Sequence, residues 1–309
     1  MLAGGVGAAR FLRGLCSLLD PARLTIIVNT ADDETFFGLH VSPDLDTVTY
    51  TLAHRVDPRQ GWGVAQDTFA GLGALRRFYA GVWFRLGDAD LATHIFRTER
   101  LRRGHSLSRV TTEIAARHGV RQRILPMSDQ PVRTHVEVAG AGSLPFQEYL
   151  VKRGGRGRVR RVRFAGAGAA RPAPGVLTAL RRADAVILPP SNPIVSIQPI
   201  LGLPGIRAAL RRARPHVAAV SPLVRGLPIK GPLDRMLRGL GHEVSAVGVA
   251  TLYRDFVSLF VLDERDADLA PRIMALGMRP LVTDTIMRSP AQSRRLARVV
   301  LRGLGKRGS

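Results

Sequence analysis

The chain has 309 residues, of which 45% are hydrophobic, so it can bury a sizeable core in one large or two smaller domains and is not intrinsically disordered. A single cysteine, Cys16, excludes an intramolecular disulfide and suits a reducing compartment. No apolar run approaches the roughly 20 residues that span a bilayer, and the first residues lack a signal-peptide pattern. We therefore expect a cytoplasmic protein without a membrane partner.

The charge of the chain is strongly basic, with a formal net charge of +22 and a pI near 11.6. Such a balance favours a polyanionic partner such as nucleic acid. The arginines are spread along the whole chain, however, and the aromatic residues, 6% of the total, do not interleave with the basic clusters as stacking platforms would. We expect no specific nucleic-acid ligand, only incidental, salt-sensitive RNA binding. An arginine-rich genome is the alternative source of the charge.

The chain opens on a glycine-rich stretch, "GGVGAARFLRGL". Gly4, Gly5 and Gly7 predict a loop that approaches a phosphate closely, followed by a helix whose N-terminal N–H groups face the anion. The pattern is neither a dinucleotide fingerprint nor a P-loop, and close packing of a helix on a strand is the alternative reason for the glycines. Only residues 1–3 precede the loop, which is half a strand, so we expect the gene to begin upstream.

Four apolar runs predict strands, at 24–29, 184–189, 216–220 and 242–250. Between the second and third, residues 204–215 have helical spacing, with isoleucine and leucine on one side and arginines on the other. Strand, helix and strand at this spacing indicate βαβ units. The sequence therefore predicts an α/β fold with a parallel sheet that is covered by helices on both faces.

The middle of the chain has different patterns. Residues 86–118 are predicted to be helical, with Gly104 as a stop signal. Residues 134–153 alternate apolar and polar side chains around a glycine-containing turn, which predicts an antiparallel hairpin, and 156–166 extend the pattern. The middle is therefore predicted to be a helical and β-hairpin insertion.

The predicted domain organisation follows from these patterns. Residues 1–50 and 176–309 form the nucleotide-binding core, and residues 51–175 form the insertion. The small-residue stretch 165–175 is the best candidate for a linker.

Four carboxylates follow the first predicted strand. Asp32 and Asp33 lie in "NTADD", directly after that strand, and Asp44 and Asp46 lie in "SPDLDT", twelve residues further on. Ligands bind at the carboxyl ends of strands in open α/β sheets. Mg²⁺ prefers carboxylates together with phosphate oxygens of a substrate, so these residues predict a magnesium site for phosphoryl-transfer chemistry. Helix capping and turn formation are the alternative roles.

Polar and basic residues after other elements are further candidates. Arg85 precedes a turn and is a candidate contact for an anion or a polar ring, whereas the lone His94 is expected to be structural. Lys230 and Arg225 lie in "SPLVRGLPIKGP", after the third predicted strand, where phosphate contacts and solvated charges are both open.

A second loop follows the strand at 184–189. In "PPSNPIVSIQPIL", Ser191, Asn192 and Ser196 are held between prolines and can bind a purine or a phosphate. No Cys/His spacing suggests zinc, and no G-x-S-x-G motif suggests an α/β-hydrolase.

Nine motifs occur in register between residues 4 and 287, and together they resemble the 2-phospho-L-lactate transferase family (CofD/FbiA) of coenzyme F420 biosynthesis. The motifs are "GGVGAARFLRGL", "VNTADD", "SPDLDT", "LGDADLATHIFR", "LPMSDQPVRTHV", "FQEYLV", "PPSNPIVSIQPIL", "SPLVRGLPIKGP" and "TDTIM". The resemblance implies a Rossmann-like core, a homodimer and a Mg²⁺-dependent transfer. A phosphorylated three-carbon acid moves from its guanosine diphosphate conjugate to the deazaflavin FO, which gives an F420-0-type product and GMP.

The resemblance also implies roles for individual residues. Asp46 and Arg85 contact FO, and the carboxylates hold the metal, with Asp32 and Asp46 as the catalytic pair. The nucleotide-binding residues are Gly4, Gly5, Gly7, Ser191, Asn192 and Ser196. The metal ligands are Asp32, Asp33, Asp44 and Asp46. We expect Asp46→Asn to lower turnover by orders of magnitude with little loss of fold.

Two questions stay open at the level of sequence. The donor acid is 2-phospho-L-lactate, phosphoenolpyruvate or 3-phosphoglycerate, because a pocket discriminates poorly between groups that differ by one small substituent unless it hydrogen-bonds that substituent. The alternative function is that of a YvcK-like regulator, which binds a nucleotide sugar without a transfer reaction. Binding of FO distinguishes the two.

Overall fold

The computed structural model describes residues 1–305. The helices are α1 (Gly5–Cys16), α2 (Pro43–Leu52), α3 (Ala70–Leu75), α4 (Asp88–Arg102), α5 (Leu107–Arg117), α6 (Val176–Arg182), α7 (Gln198–Leu201), α8 (Ile206–Arg212), α9 (Leu233–Gly239), α10 (Ala246–Tyr253), α11 (Ala270–Ala275) and α12 (Pro290–Gly305). Short 3-10 segments occupy Pro21–Arg23, Arg214–His216 and Glu264–Leu269, and π-helical segments occupy Glu148–Lys152 and Pro193–Ile197.

The strands are β1 (Leu2–Ala3), β2 (Thr25–Val28), β3 (Glu34–Phe36), β4 (Leu39–Val41), β5 (Arg123–Pro126), β6 (Arg133–Val138), β7 (Gly142–Pro145), β8 (Val159–Ala165), β9 (Val186–Leu188), β10 (Val217–Val220), β11 (Leu223–Val224), β12 (Leu227–Pro228), β13 (Leu259–Leu262) and β14 (Arg279–Val282).

Two parallel sheets form the centre of the molecule, in the orders β14-β13-β10-β9 and β1-β2-β5. They are neighbours because β1 lies beside β9. Strand β2 is buried on both faces: Ile26 and Val28 pack into one core with α1 and α12, whereas Ile27, between them, packs into the core on the other face. The predicted α/β class with a parallel sheet between two helical layers is confirmed.

Three of the four predicted core strands are confirmed as β2, β9 and β10, and helix 204–215 is confirmed as α8. The strand predicted at 242–250 is wrong, because residues 246–253 form α10 and the next strand is β13. The Ser245 hydroxyl caps α10 by accepting from the Gly248 N–H at 3.1 Å. Six of the eight residues of α10 are buried, and a short apolar run of this kind does not distinguish a buried helix from a strand.

The middle of the chain contains the predicted helices and hairpin. Residues 86–118 form α4 and α5, separated at Gly104, which has a φ of +83°. Strands β6 and β7 pair antiparallel, and β8 adds to β6. The hairpin ends earlier than predicted, because the segment after Pro145 turns into the π-helical Glu148–Lys152, with Tyr149 fully buried.

The boundary at 51–175 stays a prediction, but one strand inside that range belongs to the central sheets. Strand β5 pairs in parallel with β2, from Thr25 opposite Arg123 to Val28 opposite Pro126. The insertion therefore returns to the core before it forms the antiparallel sheet.

Within residues 1–305, no single helix has the length and apolarity to cross a membrane. The segments Pro193–Leu201 and Ile206–Arg212, which are bent by 91° relative to each other, reach that length and apolarity only when the two are taken together.

Helices α1 and α12 touch at Gly14, which gives a test of the packing. A Cβ on Gly14 would lie 2.2 Å from the backbone carbonyl of Ser293. We expect Gly14→Ala to lower the free energy of unfolding by about 1–3 kcal/mol, the usual cost of overpacking. Thermal unfolding measures this. Gly73→Ala is the control, because no atom lies within 4 Å of the added Cβ and alanine favours the helix; equal effects of the two variants would contradict the packing.

Candidate active site

One cleft of about 540 Å³ opens at the carboxyl ends of β1, β2 and β9. It collects ten of the eleven residues that the sequence singled out as site residues. These are Gly4, Gly5, Gly7, Asp32, Asp44, Asp46, Arg85, Ser191, Asn192 and Ser196. Asp33 does not line it.

The glycines allow two loops to pack closely. A Cβ on Gly4 would lie 2.6 Å from the Cβ of Ser196, and a Cβ on Gly7 would lie 2.0 Å from the Pro190 carbonyl oxygen. The Ser191 hydroxyl donates to the Gly4 carbonyl at 2.9 Å. Gly5 has open space around it but a φ of +71°, which favours glycine. The glycine loop and the 190–196 loop therefore form one rigid wall of the cleft.

Asn192 organises the second loop. Its side-chain Oδ1 accepts from the N–H groups of Ile194 at 2.9 Å and Val195 at 3.3 Å, and so caps the segment Pro193–Ile197. This segment follows strand β9, as the sequence analysis places it. The same contacts explain Asn192 as a capping residue, whether or not it also binds a ligand.

Asp44 connects the glycine loop to strand β2 and helix α2. Its Oδ1 accepts from the Gly5 N–H at 2.8 Å, and its Oδ2 accepts from the Asn29 side-chain amide at 3.0 Å. Burial raises the pKa of Asp44 from 3.8 to about 6, although these two hydrogen bonds oppose the rise. The carboxylate is thus held rigidly in a place where its charge is costly.

Asp32 lies in the same part of the cleft and is buried. Its Oδ1 has no hydrogen-bond partner among the described residues. Burial, and next the charge of Asp44, raise the pKa of Asp32 well above its usual range. No described basic side chain forms an ion pair with either carboxylate.

This pair fits a bound cation. Two buried carboxylates that repel each other, one with a free oxygen, are stabilised by a positive ion between them. Mg²⁺ is commonly held by one or two carboxylates plus substrate phosphates, and Asp32 and Asp44 supply that number beside the glycine loop.

One carboxylate oxygen of Asp33 is occupied by two neighbouring side chains. Its Oδ2 lies 2.9 Å from His40 Nε2 and accepts from the Ser42 hydroxyl at 2.8 Å. These contacts connect the end of β2 to strand β4 and to the start of α2. The Oδ1 of Asp33 has no hydrogen-bond partner among the described residues, and its charge raises the pKa of both Asp32 and Asp44, so Asp33 is electrostatically coupled to that pair although His40 and Ser42 occupy its other oxygen.

Asp46 is already paired with a cation. Both of its oxygens accept from the guanidinium of Arg97, one of them at 3.2 Å from Nη1. Arg97 is only 2% exposed, so this is a buried, bidentate ion pair between α2 and α4. Burial raises the pKa of Asp46, and the charges of Arg97 and His94 oppose the rise.

A polar cluster extends from Asp46 and was missed by the sequence analysis except for His94. The His94 Nδ1 lies 3.7 Å from Asp46 and its Nε2 lies 3.3 Å from Asp90. The Tyr50 hydroxyl donates to Asp90 at 2.7 Å. The four-residue spacing of Asp90 and His94 on one helix face was the signal available in the sequence.

This cluster is a second candidate for a metal. Asp46, Asp90 and His94 each offer an atom, and these atoms lie within 4.8 Å of one another. The guanidinium of Arg97 on Asp46 supplies a positive charge there already, which disfavours a further cation. The Asp32–Asp44 pair has no such neighbour.

A further part of the cleft, the aromatic wall, is lined by rings. Trp62, Trp83, Phe84 and Phe146 line it. Arg85 follows two of them, is exposed, and also stacks on another ring, with its guanidinium carbon 4.4 Å from the centroid of Phe69. A surface of this kind fits a planar ring system with polar edges.

Of the two basic residues predicted after β10, only one lines the cleft. Lys230 lines the cleft. Arg225 does not; it has a φ of +50°, and its backbone N–H donates to the carboxylate of Asp266 at 3.0 Å. The backbone of Arg225 therefore has a structural role in fixing the loop.

The comparisons with known proteins agree along the whole chain. The family model described as 2-phospho-L-lactate transferase CofD matches residues 1–295. A phosphoenolpyruvate transferase from Kitasatospora aureofaciens is 40% identical over 97% of this chain and 95% of its own length. A 2-phospho-L-lactate transferase from Methanosarcina mazei is 38% identical over 97% of this chain and 98% of its own length.

A solved structure of much lower sequence identity has a similar fold. A protein of the UPF0052 family from Bacillus halodurans has a TM-score of 0.64 at 17% identity, over 97% of this chain and 96% of its own. That likeness shows the α/β fold alone. The family match over nearly the whole chain, together with the relatives at about 40% identity, shows that the chain belongs to the 2-phospho-L-lactate transferase CofD family and is a transferase.

Proposed function

We propose that this protein is a Mg²⁺-dependent transferase of coenzyme F420 biosynthesis. It moves a phosphorylated three-carbon acid from its guanosine diphosphate conjugate to the terminal ribityl hydroxyl of FO, and yields an F420-0-type product and GMP. The observation that carries the proposal is the Asp32–Asp44 carboxylate pair, which has no ion-pair partner among residues 1–305 and lies beside a glycine loop in the same cleft as the aromatic wall. Cytoplasmic location and a homodimer belong to the same proposal.

The nucleotide half of the donor lies along the wall formed by the two loops. N–H groups of the first turn of α1 after Gly5, whose own N–H donates to Asp44, bind phosphate oxygens, and the polar residues of the 190–196 loop, including Ser196, bind the guanosine. Asp32 and Asp44 hold Mg²⁺, which, when bound, neutralises the charge of the diphosphate. Of the four aspartates predicted from the sequence we propose these two as the metal ligands, because Arg97 pairs with Asp46, and His40 and Ser42 occupy one oxygen of Asp33.

The acceptor lies against the aromatic wall. Arg85 and the rings around Trp83 and Phe84 bind the deazaflavin, while Asp46 accepts a hydrogen bond from the attacking hydroxyl and orients it. Arg97 fixes both oxygens of Asp46, so the carboxylate keeps one direction. The hydroxyl oxygen attacks the phosphorus next to the acid, the bond to GMP breaks, and the hydroxyl proton passes to Asp46 or to solvent.

The relatives do not select the donor acid, since their printed names include both phosphoenolpyruvate transferase and 2-phospho-L-lactate transferase at similar identity. We keep 2-phospho-L-lactate, phosphoenolpyruvate and 3-phosphoglycerate as the three donors. The YvcK-like regulator remains the second candidate, and the aromatic wall with Arg85 argues against it, because a nucleotide-sugar site has no need for a second, ring-binding half.

A mass-spectrometric assay tests the proposal. Purified protein, FO and Mg²⁺ are incubated with each guanylated acid in turn and then in competition. We expect one F420-0-type mass together with released GMP, and no product in excess chelator. Absence of product from all three donors, with no binding of FO by fluorescence or calorimetry, would contradict the transferase and favour the regulator.

A further inference from the structure

Lys230 reaches the glycine loop through a short series of contacts. Its Nζ donates to the carbonyl of Gln60 at 2.6 Å. The next residue, Gly61, has a φ of +74°, and a Cβ there would lie 2.6 Å from the Cγ1 of Val6. Val6 is the residue between the glycines of the loop. The 57–63 segment therefore presses on the glycine loop and holds the ammonium of Lys230 beside it.

Arg10 is the second cation near the glycine loop, and it lies on helix α1. It lies four residues after Val6 on α1, so the two side chains share one helix face. Arg10 and Lys230 both line the cleft. Lys230 is exposed to solvent at the rim of the cleft, and partial desolvation of its ammonium, followed by the charge of Arg10, lowers its pKa, so the two cations repel each other.

Neither cation meets a carboxylate in the described part of the chain. Arg10 has no ion pair or side-chain hydrogen bond there, and the one contact of the Lys230 ammonium is a backbone carbonyl. Two like charges that line one cleft and repel each other are unfavourable on their own. They become favourable when an anionic ligand lies between them.

We propose that Arg10 and Lys230 form an anion subsite that holds the acid end of the donor, its carboxylate and adjacent phosphate. The inference rests on the function proposed above and extends it. The nucleoside end fits less well there, because the 190–196 loop packs on Gly4, at the start of the loop, while Arg10 lies six residues, more than one turn, further along the chain in α1. All three candidate acids share this pair of anionic groups, so the subsite recognises what the donors have in common.

Calorimetric titration with GMP, GDP and a guanylated three-carbon acid tests the subsite. For Lys230→Met we expect about a 10- to 100-fold loss of affinity for the guanylated acid, the scale of a lost charge-assisted hydrogen bond. The loss for GDP is smaller, and the affinity for GMP stays within about twofold. Lys230→Arg keeps the charge and is expected to recover most of the affinity. For Arg10→Met we expect the same ranking as for Lys230→Met, with the largest loss of affinity for the guanylated acid, a smaller one for GDP and the smallest for GMP.

Lys152→Met is the matched control for binding of the guanosine compounds, because Lys152 is half exposed, pairs with Glu148, does not line the cleft, and its ammonium lies 6.0 Å from the ring centroid of Trp83, in the aromatic wall proposed for the acceptor. Equal losses for GMP and for the guanylated acid, or equal behaviour of the Lys230 and Lys152 variants, would overturn the subsite. If the wild-type chain itself binds none of the three guanosine compounds, the proposed function fails instead. The two failures are thus distinguishable without an activity measurement.

Discussion

Asp32→Asn is expected to lower the transfer rate by about 100-fold or more while raising the thermal stability of the metal-free protein. The rate falls because one of two carboxylates that hold the cation is lost, an electrostatic contribution of the size that single charge-stabilising groups make to catalysis. The stability rises because a buried charge with an unpartnered oxygen, repelled by Asp44, is removed. A gain of about 1 kcal/mol moves Tm by about 2–4 °C in chains of about 150–250 residues.

The gain in stability depends on pH in a definite direction. The folded-state pKa of Asp32 is raised, so the folded chain holds this proton more tightly than the unfolded chain does. The free energy of unfolding therefore falls as pH rises from the unfolded value towards the folded one. Asp44 acts in the same sense between its ordinary pKa of 3.8 and its folded value of about 6. The Tm difference between Asp32→Asn and wild type should be positive at pH 7.5 and vanish near pH 4.

Differential scanning calorimetry in chelator, at several pH values, measures this difference, and the transfer assay measures the rate. Asp184→Asn is the control, since Asp184 is an exposed carboxylate paired with Arg23 and lies outside the cleft. A variant of Asp32 that is less stable than wild type at every pH would show that the carboxylate is not under strain. Retained activity would exclude it from the metal site.

Much of the fold follows from the sequence because strands β2, β9 and β10 are short apolar runs that end in polar residues. The strand predicted at 242–250 is wrong because most of this run is apolar, and the pattern of a short apolar run is the same for a buried helix such as α10 and for a buried strand. The pairing of β5 with β2 is long-range and has no local signal. Topology of this kind depends on which faces are covered, which the residue pattern of one segment does not encode.

The candidate site, like the fold, could be predicted from the sequence only in part. The sequence places Asp32, Asp33, Asp44 and Asp46 at one edge of the sheet, since the carboxyl ends of parallel strands meet there. It does not show that His40 and Ser42 hold Asp33, or that Arg97, about fifty residues away, pairs with Asp46. Side-chain partners from distant segments therefore decide which carboxylate is free to bind a cation.

The buried pair between Arg97 and Asp46 changes the expectation for Asp46→Asn, because loss of the carboxylate leaves Arg97 charged and unpaired. We now expect either Asp46→Asn or Arg97→Met to lower stability, by about 3–5 kcal/mol when a buried ion pair is broken on one side. The double variant removes both charges and should recover most of that stability, yet remain at least about 100-fold less active. Urea unfolding and the transfer assay report these two quantities separately.

The double variant separates a role in catalysis from a role in folding. If the pair only supports the fold, restoring stability restores activity, and the double variant turns over FO at nearly the wild-type rate. If Arg97 positions Asp46 for the acceptor hydroxyl, the rate stays low at full stability. Arg97→Lys refines the test, because it keeps the charge without the two-pronged geometry. It should then raise KM for FO and lower kcat, with the affinity for GDP little changed, since no hydrogen bond among the described residues joins the side chains of this pair to the glycine loop or the 190–196 loop.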